Sequence, residues 1–430
     1  MNVIVIGAGA SGLVAAIEAA KANNKVTVLE LKNEAGKKIY ATGNGRCNLT
    51  NRNIDKRYYH CDDYEWLNSI LNRYGYDKIK EYFENLGLLL TEIGDYVYPH
   101  SKQASSVVEL LFRECEQLKV EFVYNCNVKK ITKAIDKFEI EANITKDKNT
   151  YKTKYNCDRI IVAVGGKASP KLGSDGSGYY LLGKLGHTVN DVVPALVPLM
   201  CEDSHNGKNL KEMQGVRCNA VIKSYYEKIC DENFMEESCG ELQMTDYGIS
   251  GIVVFQLSAQ ISHRLSLGRK VYVSIDFMPE FSEEKLYQSF INHLNMCRKR
   301  NIDYDPDDNE SFIYSKEIID SFLKVNINNK LAGVIISMVS KTIPNDISEY
   351  IKNIIYNIKN FELEVTGSKG FENAQVSSGG ITLKEVDENM QSKLAEGLYI
   401  AGEVLDVDGI CGGYNLHFAF ASGIIAGKLL

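Results

Sequence analysis

"NVIVIGAGASGLVAAIEAAKANNKVTVLE", residues 2–30, decides how the rest of the chain is read. Val3 to Ile6 form a continuous apolar run, the pattern of a strand buried on both faces of a parallel sheet. Gly7, Gly9 and Gly12 follow at G-x-G-x-x-G spacing. Gly7 suits a tight turn, Gly9 leaves room for a pyrophosphate to approach the backbone, and Gly12 lets a helix pack closely on the sheet. Leu13 to Ala22, rich in alanine, predicts that helix. Ala10 and Ser11 stand at its N-terminus, where unpaired N–H groups and the helix dipole favour an anion. Asn23 and Asn24 end it, and "KVTVLE" is a second strand finishing in Glu30. A carboxylate there can accept from ribose hydroxyls and would repel a 2′-phosphate. The whole unit predicts nucleotide binding, without separating NAD from FAD.

The far end of the chain separates them. In "GLYIAGEVLDVDGICGGYNLHFAFASGIIAGKLL" (397–430), a short strand, Leu398 to Ala401, ends at Gly402-Glu403. Gly412-Gly413 then introduces a terminal helix that reads as amphipathic, with Leu416, Phe418, Phe420, Ile424 and Ile425 on its apolar side. An acid after a glycine suits a ribityl chain, and a helix N-terminus suits a flavin edge that gains negative charge on reduction. Between these ends, "DRIIVAVGGKASPKLGSDGSGYYLLGKLGH" (158–187) delivers a strand, Ile160 to Val164, into Gly165-Gly166. Glycines at the C-terminal ends of strands are where ligands sit in open α/β sheets. Three such turns favour FAD over NAD.

"TGNGRCNLTN", "GGKASPKLGSDGSGY", "GELQMTDYGISG" and "AGEVLDVDGICGGYNLHFAFASG" resemble the signature blocks of one flavoprotein family. It comprises the bacterial NAD(P)/FAD-dependent oxidoreductases related to the aminoacetone oxidase-like and bile-acid-dehydroxylation flavoproteins. The resemblance runs from residue 3 to residue 427 and implies a two-part FAD-binding domain interrupted by an insert, with FAD held non-covalently. Counting the 2–30 unit as the first block, it assigns to the cofactor Gly7, Gly9, Ala10, Ser11, Gly12 and Glu30 there. Lys38, Thr42, Gly43, Asn44, Gly45, Arg46, Cys47 and Asn48 follow in the second, and Ala163, Gly165 and Gly166 in the third. Gly402, Glu403, Asp408, Gly413, Tyr414, Asn415 and Leu416 come from the last. Val128 is expected beside the adenine.

The loop "GKKIYATGNGRCNLTN" (36–51) has too little apolar surface for a core element, and it offers backbone donors from Gly43, Asn44 and Gly45 next to Lys37, Lys38 and Arg46. Such N–H nests with a cation beside them host phosphate oxygens or an anionic flavin edge. Cys47 stands where disulfide-reductase flavoproteins carry a cysteine pair, but the next cysteine is Cys61, so a dithiol relay is not expected. Cys47 reads as a packing residue.

The fold class expected is α/β: a Rossmann-like FAD-binding domain with a parallel sheet and a β-meander, interrupted by an inserted mixed β/α domain. Residues 1–190 and 345–430 would form the FAD-binding parts, and 191–344 the insert. Helical spacing covers 64–87 and 104–118, and "VEFVYNC", "VKKITKA", "KFEIEAN" and "TYKTKYN" read as the four strands of the meander. In the insert, strands are expected at 217–229 and 271–278, a strand–turn–helix at 240–265, and helices at 282–297, 311–324 and 331–340. The TDYGISG turn, with Asp246 and Tyr247, is expected to face substrate, as is His417. Ile252 stands where the family usually has proline and His417 where it usually has glutamine, which weakens the substrate assignment.

At 430 residues, with 44% hydrophobic and 24% charged residues, the chain is an ordinary globular protein of two or three domains. A net charge of −7 without a basic block disfavours nucleic acid and anionic membrane as partners. The acidic run 303–310 reads as a solvated loop. Eleven cysteines without CxxC pairs read as free thiols of a reducing cytoplasm, seven dispersed histidines suggest no metal site, and no leader or membrane span is expected. These features point to a cytoplasmic FAD-dependent oxidoreductase passing a hydride between a small organic substrate and NAD(P)H or oxygen. A fumarate-reductase-like or ketosteroid-dehydrogenase-like enzyme, an FAD-dependent RNA-modifying protein and a flavin redox sensor are the alternatives.

Overall fold

The computed structural model describes residues 1–203, 209–300, 309–340 and 346–428. They divide into two compact units, one formed by Met1–Ala195 with Gly370–Leu430 and the other by Leu196–Lys369. The chain is an α/β Rossmann-type fold with an inserted barrel.

The first unit is built on a five-stranded, wholly parallel sheet, in the order Leu398–Ile400, Arg159–Val162, Asn2–Ile6, Lys25–Leu29, Glu121–Val123. Val3, Val5, Val28 and Ile161 are buried, as a sheet covered on both faces requires. The segment Glu121–Val123, expected in the meander, joins this sheet as its edge strand. The meander therefore has three strands, Cys126–Lys133, Phe138–Lys146 and Asn149–Cys157. Residues 64–87 form two helices, Tyr64–Arg73 and Tyr76–Asn85, separated at Tyr74-Gly75.

The terminal helix, Tyr414–Lys428, differs from its expected amphipathic character, being buried along nearly its whole length. On one side it crosses helix Ala10–Lys21, where a Cβ on Gly423 would overlap Ser11 O and one on Gly427 would lie 2.5 Å from Ala15 O. On another, Phe418 lies 6.4 Å from Trp66, and Phe420 meets Phe83 edge-on at 4.8 Å. A helix covered all round has no polar face to keep. Each fully buried side chain of this size contributes about 1.5–3 kcal/mol, so the C-terminal residues are core of the first unit.

The second unit is a closed antiparallel barrel in the order Leu199–Asp203, Gly248–Ser250, Phe234–Thr245, Arg217–Tyr226, Val271–Asp276, Phe361–Ser368. Helix Ile252–Ser266 packs on it, and Glu283–Arg300, Asn309–Asn326, Asn329–Ser340 and Ile347–Lys359 complete the unit. The insert boundaries expected at 191 and 344 both move. Val193–Ala195 pairs with Val376–Ser378 inside the first unit, so the chain leaves at Leu196. Phe361–Ser368 pairs with strands on both its sides and closes the barrel, so the chain returns only at Gly370. The expected junction at 344–345 and the acidic segment 303–308 lie outside the described residues. Among the described residues, no helix is long and apolar enough to cross a membrane.

Candidate functional site

The three glycines of the first turn have different neighbours. Gly7 has φ of +99°, and a Cβ there would overlap Ala163 O on the adjacent strand. A Cβ on Gly12 would fall within the van der Waals shell of Gly7 O. Gly9 has an ordinary φ of −82°, and a Cβ on it would find no atom within 4 Å. Packing explains Gly7 and Gly12; at Gly9 the space is open. Glu30 hangs over this turn, with Oε2 accepting from the Ala8 N–H at 2.7 Å and Oε1 from the Lys32 N–H at 2.7 Å. Burial raises its pKa, and the two N–H donors oppose that. Gly173 of the third block sits close by, its would-be Cβ 3.9 Å from Glu30 Oε1. Val128 is buried near the start of the meander.

The third block meets the last one. A Cβ on Gly166 would lie 2.6 Å from Ser377 Oγ and 2.8 Å from Glu403 Oε1. Gly165, at φ +74°, faces Ser174, whose buried Oγ has no hydrogen-bond partner among the described residues. Glu403 Oε1 accepts from the Ser377 N–H at 2.9 Å, and Oε2 from Lys38 Nζ at 2.6 Å. The Ser377 hydroxyl in turn accepts from the Lys167 and Ala168 N–H groups, at 2.7 and 3.0 Å. Gly402, at φ +81°, has Ser11 Oγ where a side chain would stand. Residues 11, 38, 166, 377 and 402–403 are thereby gathered at one end of the parallel sheet. Ser377 went unread in the sequence, although "SSGG" (377–380), with Gly379 at φ +89°, carried the signal.

The loop that follows is turned outward at its crown and anchored at its end. Thr42–Gly45 is a 3-10 turn in which Gly43 and Asn44 are left-handed at φ +54°, and Gly43 to Arg46 are exposed. Cys47 is fully buried, and burial pushes its thiol up to about 12, so it holds no thiolate at neutral pH. None of the eleven cysteines is in a disulfide. The loop packs on the start of the terminal helix: a Cβ on Gly413 would lie 2.9 Å from Thr50 O and 3.0 Å from Asn48 Cγ, and Asn51 Nδ2 donates to Gly412 O at 2.9 Å. Asn415 clamps the preceding turn, accepting from the Gly409 N–H at 2.8 Å and donating to Gly409 O at 2.6 Å. Tyr414 is buried and Leu416 half-buried beside it. Asp408 is 2% exposed, with Oδ2 3.0 Å from His60 Nδ1 and Oδ1 without a hydrogen-bond partner among the described residues.

Of the expected substrate-facing groups, His417 lies in the first unit and Asp246 and Tyr247 in the second. His417 is fully buried on the terminal helix, its Nδ1 2.8 Å from Thr50 Oγ1, and burial lowers its pKa to about 4. It is a neutral core histidine. Asp246 and Tyr247 form a hairpin turn of the second unit, where Asp246 is exposed and Lys369 Nζ lies 4.4 Å from the Tyr247 ring centroid. The glycines of that motif serve packing: a Cβ on Gly248 would overlap Leu199 O, and one on Gly251 would overlap Glu241 O.

The profile of the HI0933-like protein Rossmann domain matches residues 1–429. A 3-dehydro-bile acid delta(4,6)-reductase of Clostridium scindens is 38% identical, over 99% of this chain and 97% of its own length. A ribosomal RNA dihydrouridine synthase of Haemophilus influenzae is 28% identical, over 97% and 96%. Among solved structures, a 3-ketosteroid-delta4-(5alpha)-dehydrogenase of Rhodococcus jostii is similar at 14% identity and a TM-score of 0.43, over 99% of this chain and 95% of that one. The chain belongs to the HI0933-like Rossmann family, a family of flavoprotein oxidoreductases.

Proposed function

We propose that the protein is an FAD-dependent reductase that saturates a carbon–carbon double bond conjugated with a carbonyl in a small organic substrate, drawing electrons from NAD(P)H. The observation that carries the reading is the gathering of sequence-distant glycine turns around space and polar atoms that the protein itself leaves unused. Gly9 is open, and the buried Ser174 Oγ and Asp408 Oδ1 are unsatisfied among the described residues. Buried polar atoms rarely stay unpaired, so a bound polar group is the natural complement.

In this reading FAD is held non-covalently. The 7–12 turn and the N–H groups of helix Ala10–Lys21 would take the pyrophosphate, Glu30 the adenosine ribose, and Val128 the adenine face. Ala163, Gly165 and Gly166 would keep the sheet end clear for the dinucleotide. Glu403 would accept from the ribityl hydroxyls while Lys38 holds its charge. Residues Thr42–Asn48 and Gly413–Leu416 would frame the ring system, the terminal helix offering its N-terminal dipole. Bound there, the flavin would supply two-electron chemistry, taking hydride from a nicotinamide and passing it on.

The bond type follows from the relatives' names. A 3-oxo-Δ4,6 steroid and a uracil ring both present a C=C conjugated with a carbonyl, so both reactions reduce the same kind of bond. The bile-acid relative, at 38% identity against 28%, favours a small substrate. The excess of 56 acidic over 49 basic residues points the same way. Reduction of uridine in RNA is the second reading, favoured by the dihydrouridine synthase match. Anaerobic mixing of FAD-loaded protein with NADPH or NADH, followed by a 3-oxo-4,6-diene bile acid, tests both. Loss of the visible flavin absorbance and its return on adding the dienone is the expected result. Return of colour only with ribosomal RNA would transfer the assignment to the second reading, and no flavin uptake would end both.

A further inference from the structure

We infer that His60, held by the buried carboxylate of Asp408, is the proton donor of this reductase, giving its proton to the α-carbon of the conjugated carbonyl substrate while the β-carbon receives hydride. The inference rests on the function proposed above and names the residue that completes it.

Conjugate reduction needs two hydrogens of opposite character. Bound FAD would supply the hydride, with its electron pair, to the β-carbon, and NAD(P)H would be the source of those electrons. A proton must then reach the α-carbon as the C=C becomes a single bond. Its donor has to be fixed in place, able to hold a proton near neutrality, and reachable by solvent for recharging.

His60 lies in "YYHCDD" (58–63), a stretch tied down at several points. Strand Tyr59–Cys61 pairs antiparallel with Val407–Gly409, which puts His60 directly opposite Asp408. The Tyr59 hydroxyl donates to Tyr414 O at 3.0 Å, at the head of the terminal helix. Asp62 accepts from Thr382 Oγ1, from the Leu383 N–H at 3.1 Å and from Asn190 Nδ2 at 3.1 Å, and the same amide reaches Asp406 Oδ2 at 2.7 Å. The backbone that carries His60 is therefore fixed to the glycine segment of the last signature block. The imidazole itself stays 31% exposed, in front of an aspartate that is 2% exposed. That arrangement directs Nδ1–H toward the carboxylate and stabilises the imidazolium.

Asp408 also says where the ligand lies. One oxygen holds His60; the other is buried without a partner among the described residues. A buried acceptor left unpaired costs roughly 1–3 kcal/mol, so a ligand donor belongs beside Asp408 and within a residue's reach of His60. The surrounding charge suits a proton donor. Asp406 and Asp408 face His60 from the opposite segment, and Cys61, Asp62, Asp63 and Tyr64 follow it on its own. Burial and the neighbouring carboxylates raise Asp406 to about 6, and burial with Cys61, Asp408 and Asp406 nearby raises Tyr64. Two further histidines of this unit, His187 and His417, are buried, and burial lowers their pKa values toward the neutral form.

The test uses the full-length, FAD-loaded protein with His60→Gln and Asp408→Asn. Stopped-flow reduction of the flavin by NAD(P)H should stay within about twofold of wild type in His60→Gln. Reoxidation by a 3-oxo-4,6-diene bile acid should slow by about 100-fold, the size expected for loss of a general acid. Independently of turnover, the His60 ring titration followed by NMR should move down by about one pH unit in Asp408→Asn, a tenfold loss of imidazolium preference. Wild-type reoxidation rates in His60→Gln, or an unmoved His60 titration in Asp408→Asn, would overturn the inference alone. A wild-type protein that takes no flavin, or is not reoxidised by the dienone, would instead overturn the function on which it rests.

Discussion

The chain uses similar glycine-rich wording in two places with different physical content. In "GAGASG" (7–12), two of the three glycines are pinned by neighbouring backbone and the middle one faces nothing. In "YGISG" (247–251), both glycines are pinned, Gly248 by Leu199 and Gly251 by Glu241, so barrel closure and helix packing account for these two glycines. A glycine points to a ligand only where a side chain would displace something other than protein. The first unit has such a place at Gly9; at Gly248 and Gly251 protein backbone fills it.

Substitutions can break that contrast. Gly12→Ala should give the largest loss, about 3 kcal/mol or more, because its Cβ meets the Gly7 carbonyl rather than a yielding side chain. Urea unfolding of the first-unit transition measures it, and an unchanged midpoint would refute the packing account. Acid should be nearly as damaging. His417 has a folded pKa of about 4 against 6.5 for the free side chain, so the unfolded chain binds the extra proton between those values. Stability is then full above pH 6.5 and falls as pH drops toward 4, by on the order of 3 kcal/mol. His417→Asn should flatten that part of the pH profile; a profile unaltered in the variant would remove His417 from the account. Gly248→Ala should cost about 2 kcal/mol through overlap with Leu199 O, while flavin uptake is unchanged. Reduced flavin uptake in this variant would erase the distinction between the two motifs. Gly9→Ala should be the mildest for stability, within about 0.5 kcal/mol, since φ is ordinary and the space is open.

What the sequence revealed and what it hid follow from the range of the interactions. Residues 2–30 were legible because strand, turn and helix are set by neighbours a few positions apart. The barrel was not, because its closure joins Leu199–Asp203 to Phe361–Ser368, and nothing local in "FELEVTGS" says which unit it completes. The terminal helix read as amphipathic because its lining comes from Ser11, Trp66 and Phe83, far away in sequence. Lys38, Gly166 and Glu403 were each singled out from their own motifs, and the structure brings them together. His60 was missed because it lies in no glycine block, and Ser377 although it precedes Gly379-Gly380; both matter through Glu403 and Asp408, partners that only the fold supplies. His417 drew attention as a histidine beside a motif, but the packing of Tyr414–Lys428 turns it inward.

The central claim is that the open space over Gly9 belongs to the pyrophosphate of FAD, and equilibrium titration of the full-length protein with FAD, wild type beside Gly9→Ala, tests it most directly. Tight, stoichiometric uptake by the wild type and at least about tenfold weaker binding by Gly9→Ala, at an unchanged unfolding midpoint, is the predicted result. A wild type that stays colourless after addition of FAD, or a Gly9→Ala variant that binds it equally well, would contradict the account.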